Sequence, residues 1–526
     1  MKRWNGWGDG AVSAPLNERA LAYLHDVLGP ATVPQDASFD VVAAVIEPSR
    51  LAGKPGIDTS AQTRLLHARG QSLPDWLALR FGRIDRVPDG VAFPESSQDV
   101  RDLLDRAKRR GAHVIPYGGG TSVVGHINPL PGDAPVLTVS LERMRRLLDL
   151  DEQSGLATFG AGVTGPDLEA QLRAHGFTLG HFPQSFEYST LGGWIVTRSS
   201  GQQSRRYGRI EALFAGGRIE TPVGTLRIPT VPASAAGIDV REMVLGSEGR
   251  MGIVTEATVR VRRVPQRESF HGWFFPNWES AERAVQELAR SDASFSMMRL
   301  ANPMETLTTL RLAGSPMVDL LERYLALRGC RAEKSLLLLG ITGERDACDL
   351  ALRTAEAIAR THRGVYAGKR LGERWRHNRF RGVYLRNALW EAGYAVDTAE
   401  TAVDWPRVGA MMTGIEAAAR AALAPEAAHV YTHLSHVYAQ GSSVYSTFIF
   451  RIAPDYETNL RRWTALKAAV SDAIVEHRGT ISHQHGVGID HQPYLAAEKG
   501  ALGIDAMRSL FARFDPDGMM NPGKLC

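Results

Sequence analysis

PYGGGTSVVGH, residues 116–126, sets three glycines between a strand-like AHVI and a threonine–serine pair. Glycine has no Cβ, admits positive φ and lets another molecule come close to backbone amides. A run of such amides cradles phosphate groups, and the same residues also serve ordinary tight turns. Three glycines alone leave both readings open, so the decision falls to the rest of the chain.

At 526 residues the chain exceeds what one core fills, and two or more domains are expected. Its 44% hydrophobic and 22% charged residues are a globular composition, neither disordered nor membrane-spanning. A net charge of +4 over this length gives no reason to expect a nucleic-acid partner. Cys330, Cys348 and Cys526 imply no disulfide framework and suit a reducing cytoplasm. MKRWNGWGDG at the start lacks an apolar h-region, so no signal peptide is expected. VVAAVI and SLLLLG are too short to span a bilayer.

Residues 1–85 read as mixed helix and loop, with ERALAYLHDVLG a helix stopped by Gly29 and Pro30. SSQDVRDLLDRAKRRG carries a serine–aspartate cap, helical apolar spacing and a closing glycine. AHVI, APVLTVSL and GLATFGAG read as short strands, and TGPDLEAQLRAHG as a helix with Pro166 in its first turn. GIVTEATVRVRRVP alternates as a strand should, and Pro265 marks a boundary. Beyond it, strands such as FHGWFFP, SLLLLGITG and SVYSTFIFRIAP alternate with helices such as NWESAERAVQELARS, the pattern of a sheet covered by helices.

GAGVTG at 160–165 satisfies G-x-G-x-x-G and raises a nicotinamide Rossmann reading. In that motif the helix opens within the glycines, whereas Pro166 places this helix after them. The acidic residue expected to end a second strand would be Glu187, which sits in the loop-like FPQSFEYST. The Rossmann reading is rejected on both counts. No G-x-x-x-x-G-K-[ST] occurs.

Two further segments share the character of the triple glycine: STLGGWIVTRSSGQQSRRYGRIE (189–211) and VLGSEGRMGIVTEATVRV (244–261). With the closing FDPDGMMNPGKLC, in this order, they resemble the flavin-binding domain of the vanillyl-alcohol-oxidase (p-cresol methylhydroxylase) superfamily. The resemblance implies an α+β protein: a two-subdomain FAD-binding domain at 86–265, an α+β cap or substrate domain at 266–480, and a segment at 481–526 returning to the flavin domain. It implies pyrophosphate contacts from Pro116, Gly118, Gly119, Gly120, Thr121 and Ser122. Ribityl and isoalloxazine contacts would come from Pro183, Ser189, Thr190, Gly192, Gly193, Thr197, Ser200, Gly201 and Tyr207, and later from Glu248, Gly252, Ile253 and Asn521. Amides and hydroxyls suit a diphosphate without a lysine. Thr121 follows the glycines where some members bond the flavin through histidine, and His126 comes too late, so non-covalent FAD is expected.

Within that superfamily WNGWG, PYGGGTSV, STLGGWIVTRSSG, GSEGRMG and SHQHGVG resemble the alkyldihydroxyacetonephosphate synthase family over nearly the whole chain. The resemblance implies exchange of the acyl chain of acyl-dihydroxyacetonephosphate for a fatty alcohol, net non-redox, with the flavin as covalent carrier through N5. It places Tyr445 of GSSVYSTF as the catalytic tyrosine, able to move the substrate's C1 proton if neighbouring cations lower its pKa. Without the motif, a strand tyrosine packed on its sheet explains that residue equally. It also implies roles for His483 and His485 of SHQHGVG, where Gln484 interrupts the family's three consecutive histidines. Alternation on a strand would turn His483 and His485 the same way. Arg299 and Arg386 match arginines near the family's active site and suit a phosphate or carboxylate. His433 and His436 of YTHLSHVY raise a metal site with the His483–His485 pair, but His433-x-x-His436 is a weak pattern and no metal ligand is assigned.

KRLGERWRHNRFRGVYLRNALW (369–390) interleaves basic and aromatic residues, as a membrane-surface segment or a solvated, salt-bridged helix does, and is a candidate gate over a lipid channel. The expected setting is cytoplasmic with a peripheral membrane contact, and a homodimer is expected by analogy with related flavoproteins. The alternative function is a FAD-dependent 2-hydroxy-acid dehydrogenase of the D-lactate type. Its H-x-G-D-G-N element is missing from HVYAQGSSVY (436–445), which carries the tyrosine instead. A flavin binder without catalysis would need only the glycine segments.

Overall fold

The computed structural model describes residues 2–313 and 316–526. Side-chain caps start the helices where the sequence places them. Ser96 and Asp99 form a reciprocal capping box on Ser97–Lys108, and Asn277 caps Trp278–Arg290. The helix after GAGVTG opens at Gly165, the last of those glycines and one residue earlier than expected, with Pro166 in its first turn.

Residues 57–263 build two main sheets. The first runs Ile57–Asp58, Gly90–Ala92, Val136–Ser140, His113–Tyr117, with the last three strands parallel. Val136–Ser140 is buried along its whole length, as a central parallel strand must be. The second is antiparallel: Leu147–Asp151, Leu156–Gly160, Ile253–Arg260, Phe214–Thr221, Gly224–Ile228. A shared apolar core lies between them. The end of the chain returns to the first sheet: Val114 N–H donates to Met519 O at 2.8 Å, and Asn521 N–H to Val114 O at 2.8 Å.

Residues 267–451 form an antiparallel seven-stranded sheet, in the order Val365–Gly368, Arg267–Phe275, Ser335–Gly343, Phe295–Ala301, Ala428–Leu434, Gly441–Arg451, Tyr394–Asp404. One face packs under helices that include Trp278–Arg290, Arg345–Thr361 and Trp405–Leu423. Side chains alternate along each strand. Met298, Leu300, Val430 and Val444 therefore enter that core, while Met297, Arg299, Tyr431, His433, Tyr445 and Thr447 face a cavity on the other side. Among the described residues no helix is long and apolar enough to cross a membrane.

Candidate active site

A cavity of about 590 Å³ separates the glycine loop from the inner face of the seven-stranded sheet. The loop's glycines are forced by close approach. A Cβ on Gly119 would stand 1.7 Å from the carbonyl oxygen of Tyr188, one on Gly118 would stand 2.3 Å from Thr190 Oγ1, and Gly120 has φ +70°. Held this way, the amides of Gly118, Gly119, Gly120, Thr121 and Ser122 donate to no acceptor among the described residues. Five consecutive free amides on a cavity wall are a ready anion cradle. Thr190 and Gly193 continue the wall at the start of helix Leu191–Val196, and Asn521 arrives from the chain's end with its Oδ1 buried and unpartnered. The free amides fit the diphosphate of FAD, and the Asn521 Oδ1 acceptor fits an N–H on its ring edge.

Pro116, Pro183, Ser189, Gly192, Thr197, Ser200, Gly252 and Ile253 also line the cavity. Glu248 lines it too, but its carboxylate is occupied, accepting from Val487 N–H at 2.6 Å and Gly488 N–H at 2.8 Å. Two residues stand off the wall. The ring of Tyr207 packs on Gly180, and Gly201 offers its carbonyl to His436 Nε2 at 3.2 Å. Of the nitrogens of His126, Nδ1 meets Ser122 Oγ at 2.8 Å and Nε2 meets Glu248 at 3.1 Å.

On the opposite wall, Tyr445 and His433 stack with ring centroids 4.8 Å apart. Glu305 bonds Arg299 and also accepts from His433 Nδ1 at 2.8 Å. Burial alone would raise the Glu305 carboxyl, but Arg299 and His433 outweigh it and hold it at about 2. Enclosure pushes the Tyr445 phenol up to about 12. The bond with Thr398 opposes the rise most, Glu400 and Asp397 add to it, and Arg386 opposes it least. Arg386 lowers this pKa by less than burial raises it, so the net lowering expected for Tyr445 is not met and the phenol is neutral. Burial lowers His485, whose ring meets Tyr445 edge-on at 6.1 Å. The Arg386 guanidinium lies 4.5 Å over the Trp76 ring and bonds the Gln71 carbonyl through one nitrogen; the other, Nη2, is buried without a partner. Lys467 reaches the same cavity, its Nζ donating to Thr398 O at 3.3 Å.

The histidine segment departs from its expected form. Residues 481–488 are irregular, not a strand, and His483 and His485 do not share a face. His485 lines the cavity, whereas His483 turns away toward Tyr438 and lines a second cavity of about 750 Å³ behind it. What joins them is Glu400, fully buried on strand Tyr394–Asp404. It accepts from Gln484 Nε2 at 2.5 Å, has His483 Nδ1 at 3.2 Å and lies 3.9 Å from His485 Nε2. Burial opposes its ionisation, yet bonds from His436 and His483 hold its pKa well below the usual carboxylate range. His433 and His436, expected as one pattern, serve opposite places: His433 faces Glu305, and His436 faces Glu400. Glu305, Glu400 and Lys467 went unnoticed in the sequence, where each is a single charge without a motif.

The basic–aromatic stretch 369–390 also differs from a membrane-surface segment. Its rings turn inward: Phe380 stacks on Phe186 at 4.6 Å, Trp375 packs with Phe270, Tyr384 donates to Glu187 at 3.1 Å, and Trp390 is buried. Arg374, Arg376 and Arg381 point outward. An amphipathic arrangement with aromatics on the core side explains the interleaving.

Residues 88–228 match the family profile of the FAD binding domain, and residues 264–525 that of the C-terminal domain of FAD linked oxidases. An alkyldihydroxyacetonephosphate synthase from Trypanosoma brucei brucei is 30% identical, across 99% of this chain and 92% of its own. A solved alkyldihydroxyacetonephosphate synthase superposes with a TM-score of 0.85 at 27% identity, covering 99% of this chain and 98% of that one. A p-cresol methylhydroxylase structure shares the fold alone, with a TM-score of 0.69 at 12% identity and 98% of both chains covered. With FAD-binding and oxidase C-terminal regions arranged in the p-cresol methylhydroxylase manner, the chain belongs to the alkyldihydroxyacetonephosphate synthase family.

Proposed function

We propose that the protein is an alkylglycerone-phosphate synthase that uses FAD, exchanging the acyl chain of acyl-dihydroxyacetonephosphate for a fatty alcohol without net redox change. The observation that carries this reading is the pairing of a neutral phenol, Tyr445, with a neutral imidazole, His485, in one cavity that has free amides on its far wall. In the exchange, the bond from C1 to the acyl carboxylate oxygen breaks, a bond from C1 to the alcohol oxygen forms, and the alcohol's proton leaves with the fatty acid. FAD, held by the amides of residues 118–122, would supply a nucleophilic N5 for this exchange. Tyr445, as a neutral phenol, is in the state to donate a hydrogen bond to the departing carboxylate oxygen, and His485 is in the state to accept the alcohol's proton, which then leaves with the fatty acid. The free Nη2 of Arg386 and the ammonium of Lys467 answer the charge of the phosphate. Met297, Leu312, Val396 and Tyr431 give the apolar stretch of wall that an alkyl chain needs.

The FAD is held non-covalently in this reading: threonine, not histidine, follows the glycines at 121, and Nδ1 of His126 is bonded to Ser122 Oγ at 2.8 Å. Acid precipitation should leave the yellow colour in the supernatant; colour in the pellet would contradict it.

The lipid side of the protein is assigned to helix Pro316–Leu327. It exposes Leu320 (69%) and Leu327 (88%), with Met317 and Tyr324 on the same stripe and Arg323 and Arg328 beside it. It follows helix Pro303–Ala313, whose Thr308, Thr309 and Leu312 line the cavity. An apolar stripe edged with arginines suits an anionic bilayer surface.

Incubation with palmitoyl-dihydroxyacetonephosphate and labelled hexadecanol tests the assignment. A labelled product that survives alkaline hydrolysis is an ether and supports it. Label found only in alkali-labile ester, or consumption of D-lactate with flavin reduction instead, overturns it.

A further inference from the structure

Glu400, His436 and His483 converge behind the cavity wall from three separate parts of the chain, and their ligand atoms all lie within 4.8 Å of one another. We propose that they bind one divalent cation of the zinc type, with Ser435 Oγ or a water at the fourth position. The sequence offers His436 and His483 only within a weak four-histidine pattern with no ligand assigned; the structure replaces His433 and His485 with Glu400.

The distances carry the inference. The Nδ1 atoms of His483 and His436 stand 3.2 and 3.4 Å from the same oxygen, Glu400 Oε1. Those values lie at or beyond the long end for an N–H···O bond, and far from the short bonds of charged pairs. They equal the edge of a tetrahedron about zinc, roughly 3.3 Å for metal–ligand bonds of about 2.0–2.1 Å. Ser435 Oγ is 2.9 Å from Glu400 Oε1 and 3.0 Å from His436 Nδ1, so a fourth oxygen faces the same point.

The proton inventory agrees. His436 Nε2 meets the Gly201 carbonyl at 3.2 Å, and a carbonyl only accepts, so that nitrogen carries the hydrogen. Nδ1 of His436 then turns its lone pair toward Glu400 Oε1 at 3.4 Å and Ser435 Oγ at 3.0 Å, where only the serine hydroxyl can donate to it. A cation at the centre turns the opposed lone pairs into ligands. The outer contacts follow the pattern of bound histidines, whose second nitrogen is held by a carbonyl or another polar group: His436 by Gly201, and His483 Nε2 by the Tyr438 hydroxyl at 2.8 Å. Two imidazoles, one carboxylate and an open fourth position are the donor set of many zinc sites. Entry is available, since His436 lines the first cavity and His483 the second. A cation here would fix the loop that presents Gln484 and His485, and the strand position across from Tyr445. The proposal does not depend on the reaction assigned above.

The test uses tag-free protein with its flavin, stripped by a strong chelator and titrated with Co²⁺ alone. One equivalent should bind and develop the visible ligand-field bands of four-coordinate cobalt, and Zn²⁺ should displace it. His436→Ala and His483→Ala should weaken binding by more than about 100-fold, since even loss of an outer partner costs roughly 10–100-fold. Tyr438→Phe, which keeps the ring, should weaken it within that smaller range. Flavin content and melting temperature check that each variant is folded. Equal binding by wild type and both histidine variants, or none by wild type, would show the cluster to be held by protons and overturn the proposal.

Discussion

Glu400 stands directly across from Tyr445 on the neighbouring antiparallel strand, so both side chains leave the sheet on the same face. The carboxylate anchors the histidine segment and also discourages ionisation of the phenol. Proton transfer through the Tyr445 hydroxyl is therefore expected to be essential. Tyr445→Phe should lower turnover by about 10²–10⁴-fold, the usual worth of a positioned acid or base. Its flavin content should match wild type, as read from the ratio of visible to ultraviolet absorbance. Unchanged turnover would remove the phenol from the chemistry.

Arg299 and Glu305 form an ion pair under the same wall, with the Glu305 side chain 5% exposed. Removing one partner of a buried pair strands the other charge. Arg299→Ala should cost about 3–5 kcal/mol in urea unfolding, and the double variant Arg299→Ala with Glu305→Gln should recover part of it. Additive losses would show that the two residues do not act as a pair.

Asp490 gives the protein a pH signature. Burial raises its carboxyl to about 7, and its Oδ2 has no partner. A pKa raised on folding adds stability that is complete below the unfolded value, near 4, and is lost as pH rises through the folded one. From this group, wild type should lose stability between about pH 4 and 7, by about 4 kcal/mol at most at roughly 1.4 kcal/mol per unit. Asp490→Asn should flatten that slope and melt higher than wild type at pH 8. Parallel melting curves against pH would count against it.

The stripe on Pro316–Leu327 should hold the protein on lipid. Leu320→Glu with Leu327→Glu should reduce co-sedimentation with anionic vesicles several-fold while leaving flavin content intact, because both side chains are outside the core. Rising salt should weaken wild-type binding through the flanking arginines. Equal sedimentation of variant and wild type would move the lipid contact elsewhere.

The glycine loop was legible because its chemistry is local. No residue with a Cβ fits where Gly119 passes the Tyr188 carbonyl, so the backbone requirement is written directly in the letters. Tyr445 was legible only through the motif around it, since a tyrosine on an alternating strand is otherwise unremarked. Glu400 was not legible: its partners lie 35 to 84 positions away, and only the fold reveals that three segments need one carboxylate. His483 and His485 misled through spacing. An i, i+2 pair points one way in a strand, but the residues between Gly479 and the 3₁₀ turn Gln492–Tyr494 take no regular form. The stretch 369–390 stayed open between two readings, because interleaved rings and charges do not reveal which set faces the core; the structure has the salt-bridged helix, with Arg376 paired to Glu268 and Glu373.

The carrier role of the flavin is tested most directly by its spectrum. Palmitoyl-dihydroxyacetonephosphate added anaerobically to the purified protein should bleach the flavin band and release palmitate, and hexadecanol should restore the band with one ether formed per flavin. A spectrum that ignores this substrate, together with stable bleaching by D-lactate or another 2-hydroxy acid, would contradict the synthase reading.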